Sequence, residues 1–137
     1  MKPPISAYEE TLGMRYFARM LDKIRKYDVG ELREDFHENL GKSLDGRCVS
    51  YLRVDYAEVV ERTLSGGSDE EILEWCFERG RALDENDVLI WNQFSSKLGF
   101  RDHVSEVLEE RKRESHLEDR DDIVTMFDYF EADEGRS

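Results

Sequence analysis

The run HENLGKSLDGRC, His37 to Cys48, is the chain's densest collection of groups that can bind or react: His37, Asn39, Lys42, Asp45, Arg47 and Cys48. A cysteine attacks as its thiolate, so a reactive Cys48 needs a base such as His37 or a nearby positive charge such as Arg47. The sequence supplies no unambiguous third group to orient that pair. The simpler reading makes Cys48 and Cys76 small core residues and gives His37 a loop carbonyl as its partner. Gly41-Lys42-Ser43 looks like the end of a phosphate-binding loop, but Phe36 stands where the first glycine is needed and no strand leads in. An NTP loop is therefore excluded, and Gly41 and Gly46 read as turn residues.

Other charged groups recur at telling distances. Arg15, Arg19 and Lys23 lie at i, i+4 and i+8, a basic stripe on one helix face, with Asp22 beside it. The stripe suits an anionic ligand or the chain's own acidic end, EDRDDIVTMFDYFEADEGR, and the tethered end has the higher effective concentration. Asp121, Asp122, Asp128, Glu131, Asp133 and Glu134 invite a calcium reading, yet their spacing fails the EF-hand pattern, so they read as a solvated acidic edge. His37, His103 and His116 are too scattered to form a zinc pattern with two lone cysteines, and no metal is expected. Trp75 and Trp91 read as core anchors, with an indole at a pocket as the alternative.

The elements that must position these groups are helical. Ser68 with Glu71, and Asp84, mark helix starts, and Gly80 and Gly99 mark stops. Ser6 with Glu9 has the same spacing and predicts a first helix carrying Leu12, Phe17, Met20, Leu21 and Ile24 inward as far as Gly30. Ser43 and Asp55 predict two short helices, the second ending at Gly66-Gly67. The helix from Ser68 to Arg79 is expected at the centre. In the next, Val88, Leu89, Trp91, Phe94 and Leu98 are expected inward. A thin stripe of Val104, Val107 and Leu108 predicts a polar helix over 103–114, and Ile123 to Phe130 should dock on the body. No stretch alternates as a half-buried strand does. The expectation is an all-α, compact single-domain bundle of about six short helices over 1–137, with the acidic segment 114–137 packing back on the body.

With 33 acids against 20 bases, the net charge of −13 repels nucleic acid phosphates and anionic lipid heads. No apolar run suits a membrane span or a secretory leader, and two unpatterned cysteines suit a reducing compartment, so the cytoplasm is the expected location. No residue pattern points to a particular cofactor. A small ligand or a protein partner, a homodimer included, fits these properties.

The blocks FARMLDKIR, DFHENLGKSLDGRC, GGSDEEILEWCFERG, IWNQFSSKLGFRD and RDDIVTMFDYFEADEGR together resemble the bacterial family catalogued as domain of unknown function 5069, in order over nearly the whole chain. The resemblance implies a small single-domain protein and brings no established activity, cofactor or substrate. Its blocks hold more charged residues than packing requires, which leaves an internal polar network or a site. The candidate binding residues are Arg19, Asp22, Lys23, His37, Asn39, Asp45, Arg47, Trp75, Asp133 and Glu134. The expected function is a ligand-binding or protein-interaction module. The alternative is a small enzyme, hydrolytic for instance, using His37, Cys48 or paired carboxylates in a polar cleft.

Overall fold

In the computed structural model, which describes residues 1–137, seven α-helices and one 3₁₀ helix build the protein. They are α1 (Phe17–Asp28), the 3₁₀ helix Glu34–Asn39, α2 (Leu44–Leu52), α3 (Tyr56–Leu64), α4 (Asp69–Arg79), α5 (Glu85–Lys97), α6 (Ser105–Glu114) and α7 (Met126–Asp133). The fold is all-α, and no helix is long and apolar enough to cross a membrane. Reciprocal capping boxes open α4 (Ser68 and Glu71), α5 (Asp84 and Asp87) and α7 (Thr125 and Asp128), each satisfying two orphan N–H groups at a helix start. Ser43 and Asp55 precede α2 and α3 without accepting a capping bond.

The expected first helix begins later than its sequence signal. Ser6 does not cap; its Oγ accepts from Tyr8 N and donates to Glu131 at 2.8 Å. The chain instead forms a minimal hairpin of β1 (Glu10–Thr11) and β2 (Met14–Arg15), turning through Leu12 and Gly13 at φ 49° and 83°. Two positive φ angles in a two-residue loop match the right-handed twist of paired strands. Helix α5 holds this hairpin: Asn92 accepts from Arg15 N and donates to the Gly13 carbonyl, both at 2.9 Å, and the Trp91 indole donates to the Arg15 carbonyl at 2.8 Å. The half-exposed Leu12 is thus outside the core it was expected to join.

The main core gathers the inner faces of α1 to α4 around Phe17, Met20, Leu21, Leu52, Val59, Ile72, Leu73 and Cys76, with Trp91, Leu98 and Phe127 from α5, its end and α7. A smaller cluster of Leu108, Ile123 and Tyr129 joins α6 to α7. Helix α5 buries only a narrow stripe, so Leu89 and Phe94 are exposed, not inward as expected, and so is Val107 on α6.

The two chain ends meet. Lys2 bonds to either side of Leu32, while Arg136 donates to the Pro4 carbonyl and Met126 N to the Leu98 carbonyl at 2.7 Å. These tethers place the end of α7 over the start of α1.

Candidate functional site

A cavity of about 950 Å³ opens between α1, the 3₁₀ helix, the start of α2, α6 and α7. Its deepest lining comes from α1. The Arg19 side chain is 1% exposed, and its guanidinium donates through both terminal nitrogens to the Glu134 carboxylate at 2.7 Å each. Arg19 also donates to the Ile5 carbonyl, lies over the Phe130 ring at 4.2 Å, and leaves its Nε without a partner. A bidentate fork of this kind fixes orientation as well as charge.

One turn along α1, Lys23 meets Asp45 at 2.8 Å. Asp45 is fully buried: Oδ1 also accepts from the Tyr16 hydroxyl at 2.7 Å, and Oδ2 accepts from Gly41 N at 3.0 Å. Here the glycine pattern of the opening run finds its reason. Gly41 has φ 77°, and a Cβ there would come within 2.8 Å of the Tyr56 ring. The tight approach puts its N–H on Asp45, which ties the turn to α2 and both to α1.

The mouth is more loosely arranged. Lys42 and Arg47 have no carboxylate partner; Arg47 reaches only His103 Nε2, at 3.4 Å. Glu34 and Glu38 on the 3₁₀ helix also line the cavity and pair with no cation. Arg33 takes Asp35 and Asp133, the latter at 2.6 Å, closing one edge.

The structure therefore brings Arg19, Lys23, His37, Asn39, Arg47, Asp133 and Glu134 to one cavity. Asp45 stands behind the lining as the counterion of Lys23. Asp22 is elsewhere, bonded to Lys26 at 2.5 Å and to Ile5 N, and the half-buried Trp75 packs against the main core. Sequence reasoning missed Tyr16, Phe36, Tyr129 and Phe130, which line the cavity, and also His103 and Arg111. The aromatics carry the same apolar signal as core residues, and no spacing distinguishes a wall from an interior.

The cysteine and histidine dyad is not assembled. His37 Nε2 sits 2.9 Å from the Leu32 carbonyl, and Cys48 is fully buried, its thiol pushed well above the ordinary value first by burial and then by Asp45. Of the cavity's carboxylates, Asp133 and Glu134 are each committed to an arginine, whereas Glu34 and Glu38 are not. No three His, Cys, Asp or Glu side chains converge as a metal site would require.

Buried protons also set an alkaline limit. Burial raises Cys76 to about 12, and burial with Asp45 raises the Tyr16 phenol and the Cys48 thiol well above their usual values. In each case the unfolded chain releases its proton first, so the stability these neutral groups confer is complete below pH 9.0, the thiols' ordinary value, and is lost as pH climbs toward the folded values. Lys23 acts oppositely: burial lowers it more than Asp45 restores, so its contribution improves with pH from that lowered value up to 10.5. Two thiols and a phenol outweigh one amine. The urea midpoint is expected to fall steadily above about pH 9, and Cys48→Ala with Cys76→Ala to flatten that fall. An unchanged slope in the double variant would remove the thiols from the account.

No curated protein matches the chain. The family model described as domain of unknown function 5069 matches residues 1–136, with the buried pairs and the cavity they floor inside the matched span, and the chain belongs to that family.

Proposed function

We propose that the protein is a cytoplasmic binding module for a small polar organic molecule, held in the cavity between α1, the 3₁₀ helix, α2, α6 and α7. The observation that carries this reading is the division of the lining between satisfied and unsatisfied charge. Deep in the cavity every formal charge is paired, as burial demands. At the mouth, Lys42 and Arg47 face inward without acids, and Glu34 and Glu38 without bases. A ligand with an anionic group and a polar or cationic group meets both sets, while Phe36, Phe130 and Tyr129 take up its apolar part. Concave sites of this size, largely apolar with a few placed polar groups, are the usual form of small-molecule sites.

Val107 gives the test. It lines the cavity from α6 and is exposed, so Val107→Trp fills the space without disturbing the core. Wild-type protein, titrated with a panel of aliphatic amino acids, aliphatic carboxylates and aliphatic phosphate esters, is expected to show ligand-dependent rises in melting temperature, and Val107→Trp to abolish them at unchanged basal stability. A panel without effect on the wild type, or rises that survive Val107→Trp, would refute the reading.

A further inference from the structure

Arg47 belongs to two concavities. Beyond the main cavity it borders a shallower groove of about 620 Å³, lined also by Arg53, Arg81, Ile90, Trp91 and Phe94, with no acid in its wall. In a chain of net charge −13, three arginines facing one groove without an intervening carboxylate are a local inversion of the protein's field.

Their internal commitments are slight. Arg81 is oriented by the Tyr51 carbonyl at 2.8 Å and lies over the Tyr51 ring at 4.5 Å, while Asp87 reaches it only at 3.7 Å. Arg53 makes no hydrogen bond or ion pair through its side chain. It is also the C-cap of α2 at φ 61° and ψ 40°, a left-handed conformation that glycine or asparagine adopts with less strain. The backbone there closes α2, with Arg53 N donating to the Ser50 carbonyl and Val54 N to that of Val49, but nothing within the chain engages the guanidinium it carries into the groove. The opposite wall is apolar, with Ile90 and Phe94 both exposed.

We propose that the groove between α2 and α5 is a second, anion-selective site, taking the carboxylate or phosphate of a small aromatic molecule on Arg47, Arg53 and Arg81 and its ring against Ile90 and Phe94. Guanidinium forks match planar carboxylate and phosphate oxygens, and a ring beside them gains from the aromatic wall. Size follows from the field: a polyanion would extend past the groove over an acidic surface, whereas a small anion stays within the roughly 8 Å over which charges act at physiological salt.

Calorimetric titration of the full chain with phenyl phosphate, inorganic phosphate and phenol tests this. Phenyl phosphate is expected to bind, the other two to bind at least about tenfold more weakly, and Arg53→Asn and Arg47→Gln each to weaken phenyl phosphate about tenfold or more. Because asparagine suits the left-handed cap, Arg53→Asn should melt at or above the wild-type temperature, a gain that a purely structural Arg53 would not show. Val107→Trp should leave phenyl phosphate binding unchanged. Absence of binding, indifference to Arg53→Asn, or equal affinity for inorganic phosphate would overturn the proposal. Loss of binding in Val107→Trp would overturn it too, placing the probe in the main cavity and leaving the proposed function standing.

Discussion

Glu134→Gln is expected to lower the unfolding free energy by about 3–5 kcal/mol, the range for removing one partner of a buried ion pair. The loss comes from what is left behind. Arg19 is essentially inaccessible, and both its terminal nitrogens aim at the Glu134 carboxylate. An amide offers one oxygen where two stood and no countercharge. Against a typical domain stability of about 5–15 kcal/mol, such a loss removes a large share of the total.

The pair itself is a different quantity from the cost of breaking it. Arg19→Met combined with Glu134→Leu removes both charges of the buried pair, leaves Arg136, which also donates to Glu134, with Glu131 and the Pro4 carbonyl, keeps apolar bulk against Phe130 and Phe36, and is expected to recover most of the loss. Denaturant midpoints of the three variants measure the coupling. Should Glu134→Gln cost less than about 1 kcal/mol, the value of an ordinary hydrogen bond, cavity water must reach the Arg19 guanidinium. The deep end of the site would then be wet, and a ligand could bond to Arg19 directly.

How much of this was legible in the sequence differs from element to element. Helices α4 and α5 were, because Ser68 with Glu71, and Asp84 ahead of an apolar run, are local signals that the chain obeys locally. Ser6 with Glu9 carries the same spelling and failed, because tertiary bonds from Trp91 and Asn92 hold the next residues in a hairpin, and no local rule contains partners some 76 or 77 residues away. In α5, periodicity predicted a wide apolar face, whereas packing uses Trp91, Ser95 and Leu98 and leaves Leu89 and Phe94 in solvent.

The site was legible as a set of residue types rather than as a geometry. The basic stripe of α1 was visible, but a stripe of cations normally means a solvated face, and here Arg19 and Lys23 turn inward while Arg15 goes to Glu10. Complementary charge at the acidic end could suggest a meeting. It could not choose Glu134 for Arg19 and Asp133 for Arg33, nor leave Asp121 and Asp122 exposed. Those choices follow from where Thr125 caps α7 and from the Met126 to Leu98 bond, which fix the phase of its side chains.

Gly80 carries the second large effect, and its sequence signal understates it. As a helix stop it would need only conformational freedom, worth roughly 1 kcal/mol against alanine. Yet its φ of −111° is open to any residue. The constraint is contact: a Cβ at Gly80 would lie 2.0 Å from the Leu52 carbonyl oxygen and 2.6 Å from that of Arg53. These are terminal carbonyls of α2, and Leu52 is already satisfied by Arg81 N at 2.9 Å, so the ends of α2 and α4 are joined face to face. Neither atom is the tip of a flexible side chain. To admit a methyl group, one helix end must retreat by more than an ångström, breaking the Arg81 bond and loosening Leu52, Ile72 and Cys76 in the core. Gly80→Ala is therefore expected to cost about 3 kcal/mol or more, as overpacking against rigid structure does. Gly30→Ala is the control, with φ 73° but nothing within 4 Å of the added carbon, and should cost about 1 kcal/mol through backbone strain alone. Equal losses in the two variants, read from urea midpoints, would mean that Gly80 only ends a helix and that α2 and α4 are free to move apart.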